Sequence, residues 1–193
     1  MPQIIAVSKT FSMSNILPII NEGHTHFGEN KVQEAADKWM NIKNEKPNIK
    51  LHLIGKLQTN KVKLALNIFD YIHSLDSEKL ANKIANHQAE NEKKPKIFIQ
   101  VNIGNENQKS GIKKESLVDF YKFCKKLNLD IIGTMCIPPN DGKEKDYFSE
   151  MNKINKELNF KDLSMGMSGD YLDAVINNAT YVRIGSKIFG ERN

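Results

Sequence analysis

Cysteine is scarce in this 193-residue chain: there are two, Cys124 and Cys136. Two cysteines cannot build a disulfide framework, and a chain of this length buries roughly 70% of its unfolded surface without one. A disulfide-rich secreted scaffold is excluded, and a reducing compartment, the cytoplasm, is expected. No apolar run approaches the ~20 residues that cross a bilayer, so no membrane partner is expected. The opening MPQIIAVSKT carries neither a charged leader nor an apolar stretch of signal-peptide length. Arginine is nearly missing too. Of 28 basic residues only Arg183 and Arg192 are arginines. Base-reading proteins rely on bidentate arginine at guanine, so the net charge of +5 reads as a solvated lysine surface and no nucleic-acid partner is expected. Lysines mostly sit near acids, as in KWMNIKNEK. Walker A and GxGxxG spacings, low-complexity tracts and internal repeats are absent.

What is present is a strict alternation. Short β-branched runs fall at Ile4–Ser8, 26–30, Leu51–Gly55, Tyr71–Leu75, Ile97–Ile103, Ile131–Ile137, Leu163–Met167 and Tyr181–Gly185. Between them lie seven amphipathic stretches: 14–21, 32–40, 59–67, 77–93, 114–127, 143–158 and 169–178. Alternation implies parallel pairing with right-handed crossovers. Eight units predict a closed (β/α)8 TIM barrel, a single domain over 1–193, with an open doubly wound sheet as the alternative. A barrel wants eight helices and the chain begins directly on a strand. The outer faces of the first and last strands, with Ile4, Ala6, Val182 and Ile184, are therefore expected to form an exposed apolar strip.

Barrel sites lie at the C-terminal ends of strands. Period-two alternation puts Ile5, Val7 and Lys9 on one face of the first strand, pointing inward, and Arg183 inward on the last. Closure makes those two strands neighbours, so Lys9 and Arg183 are expected to be close. A lysine beside an arginine in a partly dry pocket has its charged form disfavoured by desolvation and by like charge. The neutral amine that results is the form that adds to an aldehyde. An arginine kept inside an apolar strand needs a partner, which a structural carboxylate would also satisfy. Small residues in SMGMSGD (164–170) and at Gly185-Ser186 suit phosphate binding by backbone N–H groups, though each is also an ordinary turn. His24 and His26 lack a third ligand cluster, so no metal is expected. Cys124, Cys136 and Trp39 read as packing residues.

The stretches AVSKT (6–10), HFGENKVQEA (26–35), HLIGKLQTNK (52–61), HSLD (73–76), QVNIGNENQKSGI (100–112), LSMGMSGD (163–170) and VRIGSKIFGER (182–192) resemble, in order and over the whole chain, the pyridoxal phosphate homeostasis protein family, a single-domain relative of the alanine racemase N-terminal barrel. The resemblance implies pyridoxal 5′-phosphate as cofactor, with Lys9 forming the internal aldimine and Arg183 meeting the pyridine nitrogen. It implies that Ser168, Gly185 and Ser186 hold the phosphate, and that Asn30, Met165 and Gly166 are further pocket residues. The family usually carries a helix before the first strand, from which this sequence departs. The expected function is a non-catalytic holder of the cofactor in vitamin B6 homeostasis, a monomer or weak dimer whose partners could include apo enzymes. A racemase-like enzyme is the alternative.

Overall fold

The computed structural model describes residues 1–89, 94–106 and 108–191. Eight parallel strands close into a barrel in sequence order: β1 (Gln3–Val7), β2 (His26–Glu29), β3 (Lys50–Leu53), β4 (Tyr71–Leu75), β5 (Lys96–Val101), β6 (Ile131–Cys136), β7 (Asp162–Met167) and β8 (Tyr181–Ile184). The connecting helices are α1 (Met13–Asn21), α2 (Val32–Glu45), α3 (Val62–Ile68), α4 (Glu78–Gln88), α5 (Leu117–Lys126), α6 (Glu144–Glu157) and α7 (Tyr171–Ile176). A four-residue helix, α8 (Ser186–Phe189), follows β8. The sequence pattern did not resolve it because four residues carry no periodicity. The expected end of the helix over 77–93 falls partly on residues 90–93, outside the described residues.

Apolar spacing explains the packing. In α2 the buried residues Val32, Ala35, Ala36 and Trp39 recur at three- and four-residue steps, and in α5 Leu117, Phe120 and Cys124 do the same. Ser77 caps α4, its side chain accepting from the Leu80 N–H at 3.3 Å. The outward faces of the strands and the inner faces of the helices form one continuous apolar cluster. The barrel lumen is filled separately, by Tyr71, Phe98 and Met135, with the polar groups His52, His73, Ser164 and Arg183 buried among them.

Closure pairs β1 with β8 in register Ile4↔Val182, Ile5↔Arg183 and Ala6↔Ile184. The expected exposed strip is corrected here. Ala6, Val182 and Ile184 are 0%, 1% and 6% exposed; only Ile4, at 43%, faces solvent. The cover comes from this chain: Phe11, Ile188 and Phe189 pack against the cluster that holds these residues, and the Phe11 and Phe189 rings stack at 4.9 Å. A residue of the loop after β1 and two residues of the short helix α8 thus do part of the work of a full covering helix.

Candidate functional site

The C-terminal mouth of the barrel opens a cavity of ≈ 600 Å³, inside the size range of small-ligand sites. Lys9, Asn30, Ser168, Arg183, Gly185 and Ser186 all line it. These six anticipated residues come from four separate strand ends, brought together by closure. Met165 and Gly166 do not line it. Met165 is fully buried in the outer apolar cluster, and a Cβ at Gly166, where φ is +89°, would run into Ala174 and Tyr171 of α7. The apolar wall is made instead by Val7, Ile54, Ile137 and Met167. Ile137 and Met167 are among the exposed large hydrophobic side chains, a property that only the folded structure reveals.

Lys9 sits just beyond β1, and its backbone is clamped on both sides. Ser8 Oγ donates to Glu29 Oε1 at 2.7 Å, and the Trp39 indole N–H donates to the same oxygen at 2.9 Å. Lys38 Nζ donates to Glu29, to Glu34 and to the Ser8 carbonyl, at 3.0, 3.1 and 3.0 Å. On the other side the Thr10 N–H donates to Glu34 Oε1 at 2.6 Å, with Thr10 held at φ +69°. Burial pushes the Glu34 carboxyl up, but the Thr10 N–H and the Lys38 ammonium outweigh it and the net shift is downward. Trp39 therefore does more than pack: it donates to a fully buried carboxylate. Lys38→Met leaves the Glu29 charge buried without its cation, and is expected to cost about 3 kcal/mol by denaturant unfolding. A loss below the error of that measurement would show that the clamp is not needed.

Arg183 is 4% exposed and its partners are not carboxylates: NH1 donates to Ser164 Oγ at 2.8 Å and NH2 to the Cys136 carbonyl at 3.0 Å. Desolvation lowers its pKa, yet a guanidinium stays charged at any physiological pH. Burial pushes the Cys136 thiol up to about 12, so it is not a nucleophile here. Across the cavity Ser168 Oγ accepts from the Gly185 N–H at 3.2 Å, keeping its own hydrogen for a ligand oxygen. Gly55 draws the end of β3 close: a Cβ there would overlap the Asn30 backbone. His24 and His26 form no chelate. The His24 ring bonds the His26 carbonyl and His26 bonds His52; among the described residues there is no cluster of metal ligands.

The family model for the alanine racemase N-terminal domain matches residues 1–193. A pyridoxal phosphate homeostasis protein of Vibrio cholerae is 38% identical, covering 99% of this chain and 86% of the relative. One of Aquifex aeolicus is 36% identical, covering 98% and 87%. The solved structure of PipY from Synechococcus elongatus with PLP bound superposes with a TM-score of 0.90 at 34% identity, covering 98% and 92%. An alanine racemase of Clostridium difficile, 14% identical with a TM-score of 0.77 and 53% of its length covered, shares the fold. With the family model matched end to end and relatives this similar over nearly their whole length, the chain belongs to the alanine racemase N-terminal domain family, among its pyridoxal phosphate homeostasis proteins.

Proposed function

We propose that this chain holds pyridoxal 5′-phosphate reversibly in the cytoplasm, as one binding domain, and turns over no substrate of its own. One observation carries the reading. A strand-end lysine, a permanently charged arginine and a cradle of hydroxyls and glycine N–H groups line the same ≈ 600 Å³ cavity. The residues present fit this cofactor: the cavity is large enough, and its chemistry is divided into an amine, an apolar wall and an anion cradle. When bound, the cofactor supplies an aldehyde next to an electron-withdrawing ring. Lys9 would hold the cofactor through its amine, the group whose neutral form condenses with an aldehyde. Ser168, Ser186 and Gly169 would take the phosphate oxygens, with the Gly185 N–H holding Ser168 Oγ in place; Ile54, Ile137 and Met167 would give the ring an apolar surface, and Asn30 a polar edge. Met165 and Gly166 support the wall from behind.

Arg183 bears on the choice between holding and catalysing. A guanidinium donates a hydrogen bond to the ring nitrogen but does not give up its proton near neutrality. The ring is left a weak electron sink, which disfavours carbanion chemistry. Relatives are named for homeostasis, which agrees. Apo enzymes that need the cofactor are the natural recipients, and a monomer or weak dimer suffices for that role. Purified protein loaded with pyridoxal phosphate is expected to activate an apo enzyme stoichiometrically, and to leave the α-deuterium of labelled alanine in place. Rapid washout of that deuterium by pure protein would overturn the non-catalytic reading in favour of a racemase-like enzyme.

A further inference from the structure

Below the cavity, the lumen holds a row of polar groups that cofactor binding does not by itself require. Arg183 on β8 donates to Ser164 Oγ on β7. That oxygen lies 2.9 Å from His73 Nδ1 on β4. His73 Nε2 lies 2.9 Å from His52 Nδ1 on β3, and His52 Nε2 lies 2.8 Å from His26 Nδ1 on β2. Ser164, His73 and His52 are fully buried. His26, the first residue of β2, is half-buried at the opposite mouth of the barrel.

The direction of these bonds follows from donor counting. A guanidinium only donates, and a neutral imidazole carries one N–H. Ser164 Oγ accepts from Arg183, and among the described residues its other partner is His73 Nδ1, which must therefore receive the hydroxyl hydrogen. His73 is then protonated on Nε2 and donates to His52 Nδ1. His52 is protonated on Nε2 and donates to His26 Nδ1. The opposite sense would leave the Ser164 hydrogen without an acceptor in a dry interior, where an unmade bond is costly. Ring flips are hindered, since His52 stacks on Tyr71 at 4.1 Å and His73 on Phe98 at 4.3 Å. Desolvation holds His52 and His73 neutral, with the Arg183 charge adding to the effect at His73.

We propose that Ser164, His73, His52 and His26 are positioning residues for Arg183, forming a one-directional hydrogen-bond relay whose sense the guanidinium sets and which links the cofactor cavity to the far mouth of the barrel. The relay ties NH1 to Ser164 while the Cys136 carbonyl holds NH2, leaving the remaining N–H groups for the cavity. Its relevance to the cofactor rests on the reading that Arg183 faces the bound ring; its existence does not.

Nitrogen-15 NMR of histidine-labelled protein, without cofactor and above the ordinary histidine pKa, tests it. His26, His52 and His73 are expected to be protonated on Nε2 alone. In Ser164→Ala, Nδ1 protonation is expected to appear at His73 and to propagate to His26. With pyridoxal phosphate added, the same variant is expected to bind about tenfold more weakly, with a shifted absorption maximum. Ser164→Thr, which keeps the hydroxyl, is expected to restore both tautomers and band. Nδ1 protonation at His73 or His52 in the unaltered protein would overturn the relay, and that measurement stands even if the alanine variant does not fold. A folded Ser164→Ala with unchanged tautomer at His26 would also overturn it. Expected tautomers in a protein that takes up no pyridoxal phosphate would instead remove the cofactor reading and leave the relay intact.

Discussion

Lys9→Ala is expected to abolish covalent retention of pyridoxal phosphate altogether. Borohydride treatment of the loaded, unaltered protein should fix one cofactor on the peptide containing Lys9; in the variant the fixed amount should fall to zero. The reason is chemical rather than steric. Lys9 is the only lysine lining the cavity among the described residues. Stability should change by less than about 1 kcal/mol, because Lys9 is half-buried and the clamp on Ser8 and Thr10 is made by backbone groups and by Glu29, Glu34 and Lys38. The variant should still bind the cofactor non-covalently through the Ser168–Gly185–Ser186 cradle. Ser186→Ala is the complementary case. It should keep the covalent link and lose about tenfold in affinity, as expected for one hydrogen bond to a charged group. Persistent labelling of Lys9→Ala would remove the proposed function at its root.

Acid should destabilise this fold well above the pH at which carboxylates titrate. Burial keeps His52 and His73 neutral, their pKa values well below the ordinary 6.5. For His26 desolvation, then the nearby His24 and Lys50, lower the value to about 4, with Asp70 opposing. Each folded-state value is depressed, so the unfolded chain binds these protons first. The contribution is complete above ~6.5 and is lost as pH falls below that value toward the folded-state pKa values. The two fully buried rings both act in this direction, so their losses add as pH falls. His26 adds in the same direction. Asp76 and Asp162, both raised by desolvation, act the other way but only in the carboxylate range. Denaturant titrations at three pH values between ~8 and ~5 check this, and a flat stability across that window would show that the buried rings take up protons as readily in the native state as in the unfolded chain.

The eight-fold alternation of apolar runs and amphipathic stretches was legible in the sequence because strand and helix periods are local properties of neighbouring residues. Period two predicts inward faces for Lys9 and Arg183, and closure of a sequentially ordered barrel pairs their strands, so that both line one cavity. The small residues at two consecutive strand ends, for which phosphate binding is proposed, were legible as well, and they line the cavity. The misread features are all non-local. Phe11, in the loop after β1, and Phe189, in the four-residue α8, pack against the cluster that holds β1 and β8, and neither stretch is long enough to show a helical period. Met165 and Gly166 turn away from the cavity at the end of β7, where the pairing with β8 shifts register between Ser164 and Met167. The relay could not be seen at all. His26, His52, His73 and Ser164 share no spacing, and only the stagger of four strands around a closed cylinder stacks them into one row. The amino-acid order by itself determined which residues point inward and which family site they can build. The tertiary structure alone decided which inward residues meet, because distances across a barrel are set by strand tilt, register and side-chain volume, quantities to which every strand contributes.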